Sequence, residues 1–188
     1  MPSENPENWA LEIPKWACET TEDSLEELMS TSRQIATAYH EASHAVAAIS
    51  LGLRLRKKGI SIERDKDSLG QCYTRKPFRG DPDDASDSRR VKAEKDAIVS
   101  FAGYEGQRNF CPRSHNGGGK DRRDAAGLMC HFVGSEREPD AYMKLLQICT
   151  EQLLSMEHIQ TKIKAVAKAL IERKRLSAAE VEAIVWSV

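Results

Sequence analysis

The sequence predicts a mainly helical α+β domain with a small β-hairpin beside one long helix. Three observations predict it. Ile35 to Leu51 is alanine-rich and free of proline and glycine, and Ile35, Ala38, Ala42, Ala45, Val46 and Ile49 recur at helical spacing. Two short alternating runs, Lys58–Arg64 and Leu69–Arg75, flank the turn-forming Asp65-Lys66-Asp67-Ser68. The last fifty residues return to helical periodicity with clear start signals.

Taken in order, residues 1–30 read as an N-terminal arm followed by a short helix. Trp9 and Trp16 are the arm's bulky anchors, and Asp23 or Ser24 caps a helix that runs to Met29. Residues 31–188 read as the main domain. A second helix follows Thr31 or Ser32 and stops near Gly52. Beyond the hairpin, Arg79–Ser88 has no apolar residue larger than alanine and marks an exposed loop without the spacing of a calcium loop. Arg89–Phe110 is helical, with Gly103 and Gly106 permitting a bend or close packing. Cys111–Gly119 is a loop, and its triple glycine lacks the lysine and hydroxyl pattern of a nucleotide site. Asp121 stands at the start of a helix through Phe132. Helices over about Pro139–Ser155 and Glu157–Arg173 follow, and Ser177 with Glu180 forms a capping box for the last one.

Composition excludes several function classes. Lys+Arg 28 against Asp+Glu 29 gives a net charge of -1 over 188 residues, so no global field draws the chain to nucleic acid or an anionic membrane. No apolar run approaches the ~20 residues of a membrane span. The 5 cysteines are scattered, with no Cys-x-x-Cys pair, which suits reduced thiols in a cytoplasmic protein.

The chemistry concentrates at His40-Glu41-Ala42-Ser43-His44. Residues four apart on a helix lie one above the other, so His40 and His44 offer two imidazole nitrogens to one ion. Glu41, one step round, is placed as general base for a water held at that ion. A catalytic site of this kind needs a third protein ligand, and the candidates are Glu105, His115, Asp121, Asp124 and His131. A glycine loop delivers Asp121 to the front of a helix, with Asp124 one turn on. Two imidazoles and a carboxylate make Zn2+ the default metal.

Several segments together resemble the peptidase domain of the FtsH-type AAA+ zinc metalloproteases. Tyr39-His40-Glu41-Ala42-Ser43-His44-Ala45 is similar to that family's His-Glu-Ala-Gly-His-Ala segment. Lys58–Arg64 with Leu69-Gly70-Gln71-Cys72-Tyr73-Thr74 resembles its strand pair. Phe101–Gln107 stands where the family has a Gly-Gly-Arg-x-Ala-Glu helix, and Gly117–Ala126 resembles the segment that carries its ligand aspartate. Ala167–Arg173 and Leu176–Val181 are similar to its closing helix pair. The likeness covers roughly Ile35 to Trp186.

The resemblance implies a zincin-like fold, Asp121 as third ligand, and an extended peptide or unfolded protein segment paired along Gly70, Gln71, Cys72 and Tyr73. It departs at Ser43, where the family has glycine, at Lys120, where it has asparagine, and at Gln107, where a glutamate is usual. The last departure leaves the ligand-orienting carboxylate missing or replaced by Glu105, with Gln107 itself and Asp124 as further candidates behind the ligands. The sequence holds no Walker loop and no membrane anchor, so the expected activity is ATP-independent hydrolysis of unfolded or exposed polypeptide, as a monomer or small homo-oligomer. A metal-binding, non-hydrolytic adaptor is the rival class.

Overall fold

A computed structural model describes residues 22–63, 70–74, 86–114, 119–133 and 138–188, with the side chains of the first helix described from Thr31. The arm, the turn at 65–68, most of the acidic loop and His115–Gly118 lie outside the described residues. The chain divides after Ser32 into two units, and the second, Arg33–Val188, contains His40, His44 and Asp121.

The protein is mainly helical with a small antiparallel sheet. Helix α1 spans Glu22–Ser50, β1 Leu55–Ser61, β2 Gln71–Thr74, α2 Asp87–Phe110, α3 Gly119–Met129, α4 Glu138–Ser155, α5 Glu157–Arg173, β3 Arg175–Leu176 and α6 Ala178–Ser187. Single 3-10 turns, Pro112–Ser114 and Cys130–Phe132, follow α2 and α3. Where the sequence predicts two helices before Gly52, there is one. Met29-Ser30-Thr31-Ser32 contains no glycine or proline, so residues able to cap a helix are here carried inside it. The capping box at Ser177 and Glu180 is formed.

The sheet order is β2-β1-β3, so β2 is an edge strand among the described residues. Leu55 pairs with Thr74 and Ile60 with Cys72, which leaves three extra residues on β1. Gly59 absorbs them at φ +67 and sits where a Cβ would fall 1.9 Å from the Leu176 carbonyl oxygen. Strand β3 has no counterpart among the elements that the sequence predicts. Two residues are too few to alternate, and the segment around them reads as a solvated turn. Ile60↔Leu176 and Ser61↔Arg175 form only because α5 returns the chain to β1.

Two apolar clusters meet on α2. One joins α1, the sheet, α5 and α6 through Ala42, Val46, Ile60, Ile163, Leu170 and Val181, and includes Val99 and Ala102 of α2. The other packs Ala97 and Phe101 of α2 against Ala125 and Met129 of α3 and Met143 and Leu146 of α4. Helix α2 thereby holds the histidine helix on one side and the Asp121 helix on another. No described helix is long and apolar enough to cross a membrane.

Candidate metal centre

His40 and His44 project from one face of α1 towards α2, and Asp121 reaches the same point from the first turn of α3. The His40 and His44 Nε2 atoms are 3.0 Å apart. Asp121 Oδ2 lies 3.4 Å from the first and 3.6 Å from the second. Metal–ligand bonds of about 2.0–2.2 Å place tetrahedral ligands roughly 3.3–3.6 Å apart, a spacing that the two Asp121 distances match and that the imidazole pair falls short of by about 0.3 Å. Among the described residues, this is the one group of three such donors able to hold an ion.

The hydrogen bonds behind the rings decide which nitrogens face inward. His44 Nδ1 donates to the Val99 carbonyl at 2.6 Å, a partner that can only accept. His40 Nδ1 donates to Gln107 Oε1 at 3.1 Å. The Gln107 amide is oriented by its own NH2, which donates to the Ser114 carbonyl. With Nδ1–H committed to these oxygens, each ring when neutral presents a bare Nε2 lone pair, and the two converge with a carboxylate oxygen. Three electron pairs around one point are stable only around positive charge, so the residues fit a metal cation.

In the metal-free protein the same need shows in the carboxylates. Burial by itself raises the Asp121 pKa, but hydrogen bonds and charge from His40 and His44 outweigh it and hold this carboxyl well below the usual range. Glu41 is 6% exposed, and burial pushes it from 4.5 up to about 7 despite the opposing His40, with Asp121 adding to the rise.

Helix α2 approaches so closely because it presents glycine. A Cβ at Gly103 would lie 2.2 Å from His44 Nε2 and 2.7 Å from His40 Nε2. One turn on, a Cβ at Gly106 would lie 1.9 Å from Ser43 Oγ. Ser43 therefore does not push the helices apart. Gly106 leaves room for it, and its hydroxyl bonds back to the Tyr39 carbonyl at 2.7 Å.

The expected substrate strand lies beside this centre. Gly70 abuts α1, where a Cβ would meet Thr37 Cγ2 at 2.5 Å and Glu41 Oε1 at 2.9 Å. Along β2, Cys72 packs on the core, while Gln71 and Tyr73 share the other face and the Tyr73 hydroxyl bonds Gln71 Oε1. Burial, then the charges of Glu41 and Asp121, push the Cys72 thiol well above its ordinary pKa. It is a neutral neighbour of the centre and not one of its donors.

Other candidates fall away. Glu105 is buried but turned from the centre. Its Oε2 pairs with Arg108 at 2.7 Å, and its Oε1 accepts from Gln147 at 2.9 Å. On a helix, position 107 lies one turn from Gly103 on the same face and position 105 lies opposite. Of the residues expected behind the ligands, Gln107 therefore orients His40 and Glu105 does not. Asp124 and His131 are exposed and outside the triad. His115 lies outside the described residues.

Sequence reasoning missed the Val99 and Ser114 carbonyls, which carry no side-chain signal. The two glycines within α2 were the visible trace of its close approach. No family model and no curated protein matches this chain.

Two outcomes follow from this geometry. Removing Gln107 in Gln107→Ala frees the His40 ring, and metal affinity is expected to fall about 10–100-fold, read by competition with a chromophoric chelator. A metal ion held by the folded chain alone stabilises it by about 4 kcal/mol at a thousandfold excess over Kd. Chelation is therefore expected to lower Tm by about 8–16 °C in a scanning-calorimetry comparison. An unchanged Tm would mean that no ion was held.

Proposed function

We propose that this chain is a zinc-dependent endopeptidase domain of FtsH type, with a zincin-like arrangement, acting on unfolded or exposed polypeptide. The observation that carries the reading is the convergence of His40 Nε2, His44 Nε2 and Asp121 Oδ2, with Glu41 buried beside them. His40, His44 and Asp121 would hold the ion, and its donor set favours zinc. When bound, the ion acidifies water and polarises a carbonyl.

The protein's own residues supply the rest. Glu41 takes the proton of the attacking water and passes it to the leaving amine, and a carboxylate placed near neutral pH suits both transfers. Gln107 and the Val99 carbonyl keep both imidazoles in the Nδ1–H tautomer and steady their rings. The outer edge of β2, an edge strand among the described residues that follows Gly70 beside Glu41, would offer main-chain hydrogen bonds to an extended segment. That contact favours unfolded chains over folded ones, whose backbone groups are already paired. The reading places the protein in the cytoplasm, without nucleic acid as partner.

Incubation of the zinc-loaded protein with a fluorescein-labelled unstructured polypeptide tests this reading. New termini are expected by mass spectrometry, lost with chelator and restored by zinc. Stoichiometric zinc without cleavage would leave a metal-binding adaptor.

A further inference from the structure

The β1 strand carries a charge cluster that the metal centre does not use. From Arg54 to Lys58, four of five residues are cationic in a chain whose net charge is -1. All four are exposed. The β-bulge that ends at Gly59 breaks the regular alternation, so Arg56, Lys57 and Lys58 are all exposed in succession. Among the described residues, none of Arg54, Arg56 and Lys57 pairs with a carboxylate, whereas Arg108, Arg173 and Arg175 all do. Lys58 stands 5.5 Å over the Tyr73 ring, on the edge strand itself.

The position of this cluster relative to β2 gives it meaning. Leu55 pairs with Thr74, so the cations flank the far end of β2, while Gly70 at the near end touches Glu41. Four strand steps separate those ends, about 13 Å. We propose that the protein selects polypeptide segments with acidic residues about four positions from the bond to be cut, held by Arg54, Arg56, Lys57 and Lys58 while the backbone pairs with β2. This proposal rests on the peptidase reading for the location of the cut, but the binding preference is measured separately. An acidic polypeptide fits better than other polyanions because the cations flank an edge strand, which recognises an extended peptide backbone.

The test uses two labelled unstructured peptides of equal length, one with a Glu block and one with Gln in its place. Affinity for the zinc-loaded Glu41→Gln protein is measured by fluorescence anisotropy. The Glu peptide is expected to bind about tenfold more tightly at low salt, as several weak exposed pairs together allow, and the advantage should vanish near 1 M salt. Arg54→Gln/Arg56→Gln/Lys57→Gln/Lys58→Gln, combined with Glu41→Gln, is expected to bind both peptides alike. In the active background the same change should lower kcat/KM for the Glu peptide towards that for the Gln peptide. Equal binding of the two peptides by the parent, discrimination that survives the quadruple change, or equally tight binding of a single-stranded RNA of the same charge would each overturn the proposal. Tight binding of the Glu peptide with cleavage of neither peptide would sink the peptidase reading and support the acidic preference.

Discussion

The Glu41→Gln protein is expected to bind zinc with the parent's stoichiometry and to cleave unstructured polypeptide about 10²–10⁴-fold more slowly. The side chain is not one of the three converging donors, so the metal centre survives the change. What disappears is a proton carrier that touches the start of β2 at Gly70, where a substrate backbone would lie. Glutamine fills the same buried space without the charge.

The same variant carries a stability signature in the metal-free protein. Burial raises the Glu41 pKa from 4.5 to about 7, so the folded chain holds this proton more tightly than the unfolded chain does. Stability from this group is full below about pH 4.5 and falls as pH rises towards 7. Asp121, held below the usual range, works in the opposite sense. Its contribution is present above the ordinary carboxylate pKa and is lost as pH falls. Metal-free Glu41→Gln is therefore expected to melt above its parent at pH 8, with the gap closing by pH 4.5. Parallel melting curves across that window would show that Glu41 does not titrate as described. Zinc-loaded samples should show a smaller gap, because a cation beside Glu41 favours its charged form.

Gly103→Ala is expected to abolish metal binding while leaving the fold intact. The added methyl would lie 2.2 Å from His44 Nε2 and 2.5 Å from its Cε1, where carbon contacts need about 3.5–4.0 Å. The rings cannot turn aside without breaking the Nδ1 bonds to Val99 and Gln107. Overpacking costs about 1–3 kcal/mol, partly offset by the ~1 kcal/mol that alanine gains over glycine in a helix. The far-ultraviolet circular dichroism should therefore keep its helical form, and zinc affinity should fall at least about 100-fold. Tight zinc binding by Gly103→Ala would show that α2 does not abut the centre as described.

Much of the architecture was legible because it is local. The stripe from Ile35 to Ile49 and the Ser177–Glu180 cap are decided by neighbours within a few residues, whereas the alternation read at Ile60 and Ile62 is absent, because Gly59 to Ile62 are all buried. The break expected near Ser30 failed because Ser and Thr are permissive signals, and no glycine or proline enforced it. The short β3 strand had no pattern to read and exists through its pairing with Ile60 and Ser61.

The centre divides the same way. By itself the sequence determined that His40, Glu41 and His44 share one helical turn, because a spacing of four is a property of the α-helix and needs no partner. Residue chemistry left five candidates open for the third donor, and only the family resemblance singled out Asp121. Only the tertiary structure brought Asp121 to the histidines, assigned the orientation of His40 to Gln107, and turned Glu105 towards Arg108. Those outcomes depend on how closely α2 lies against α1 and on which face it turns there. Gly103 and Gly106 permit that approach and are its visible trace, but nothing within α2 alone says which helix fills the space.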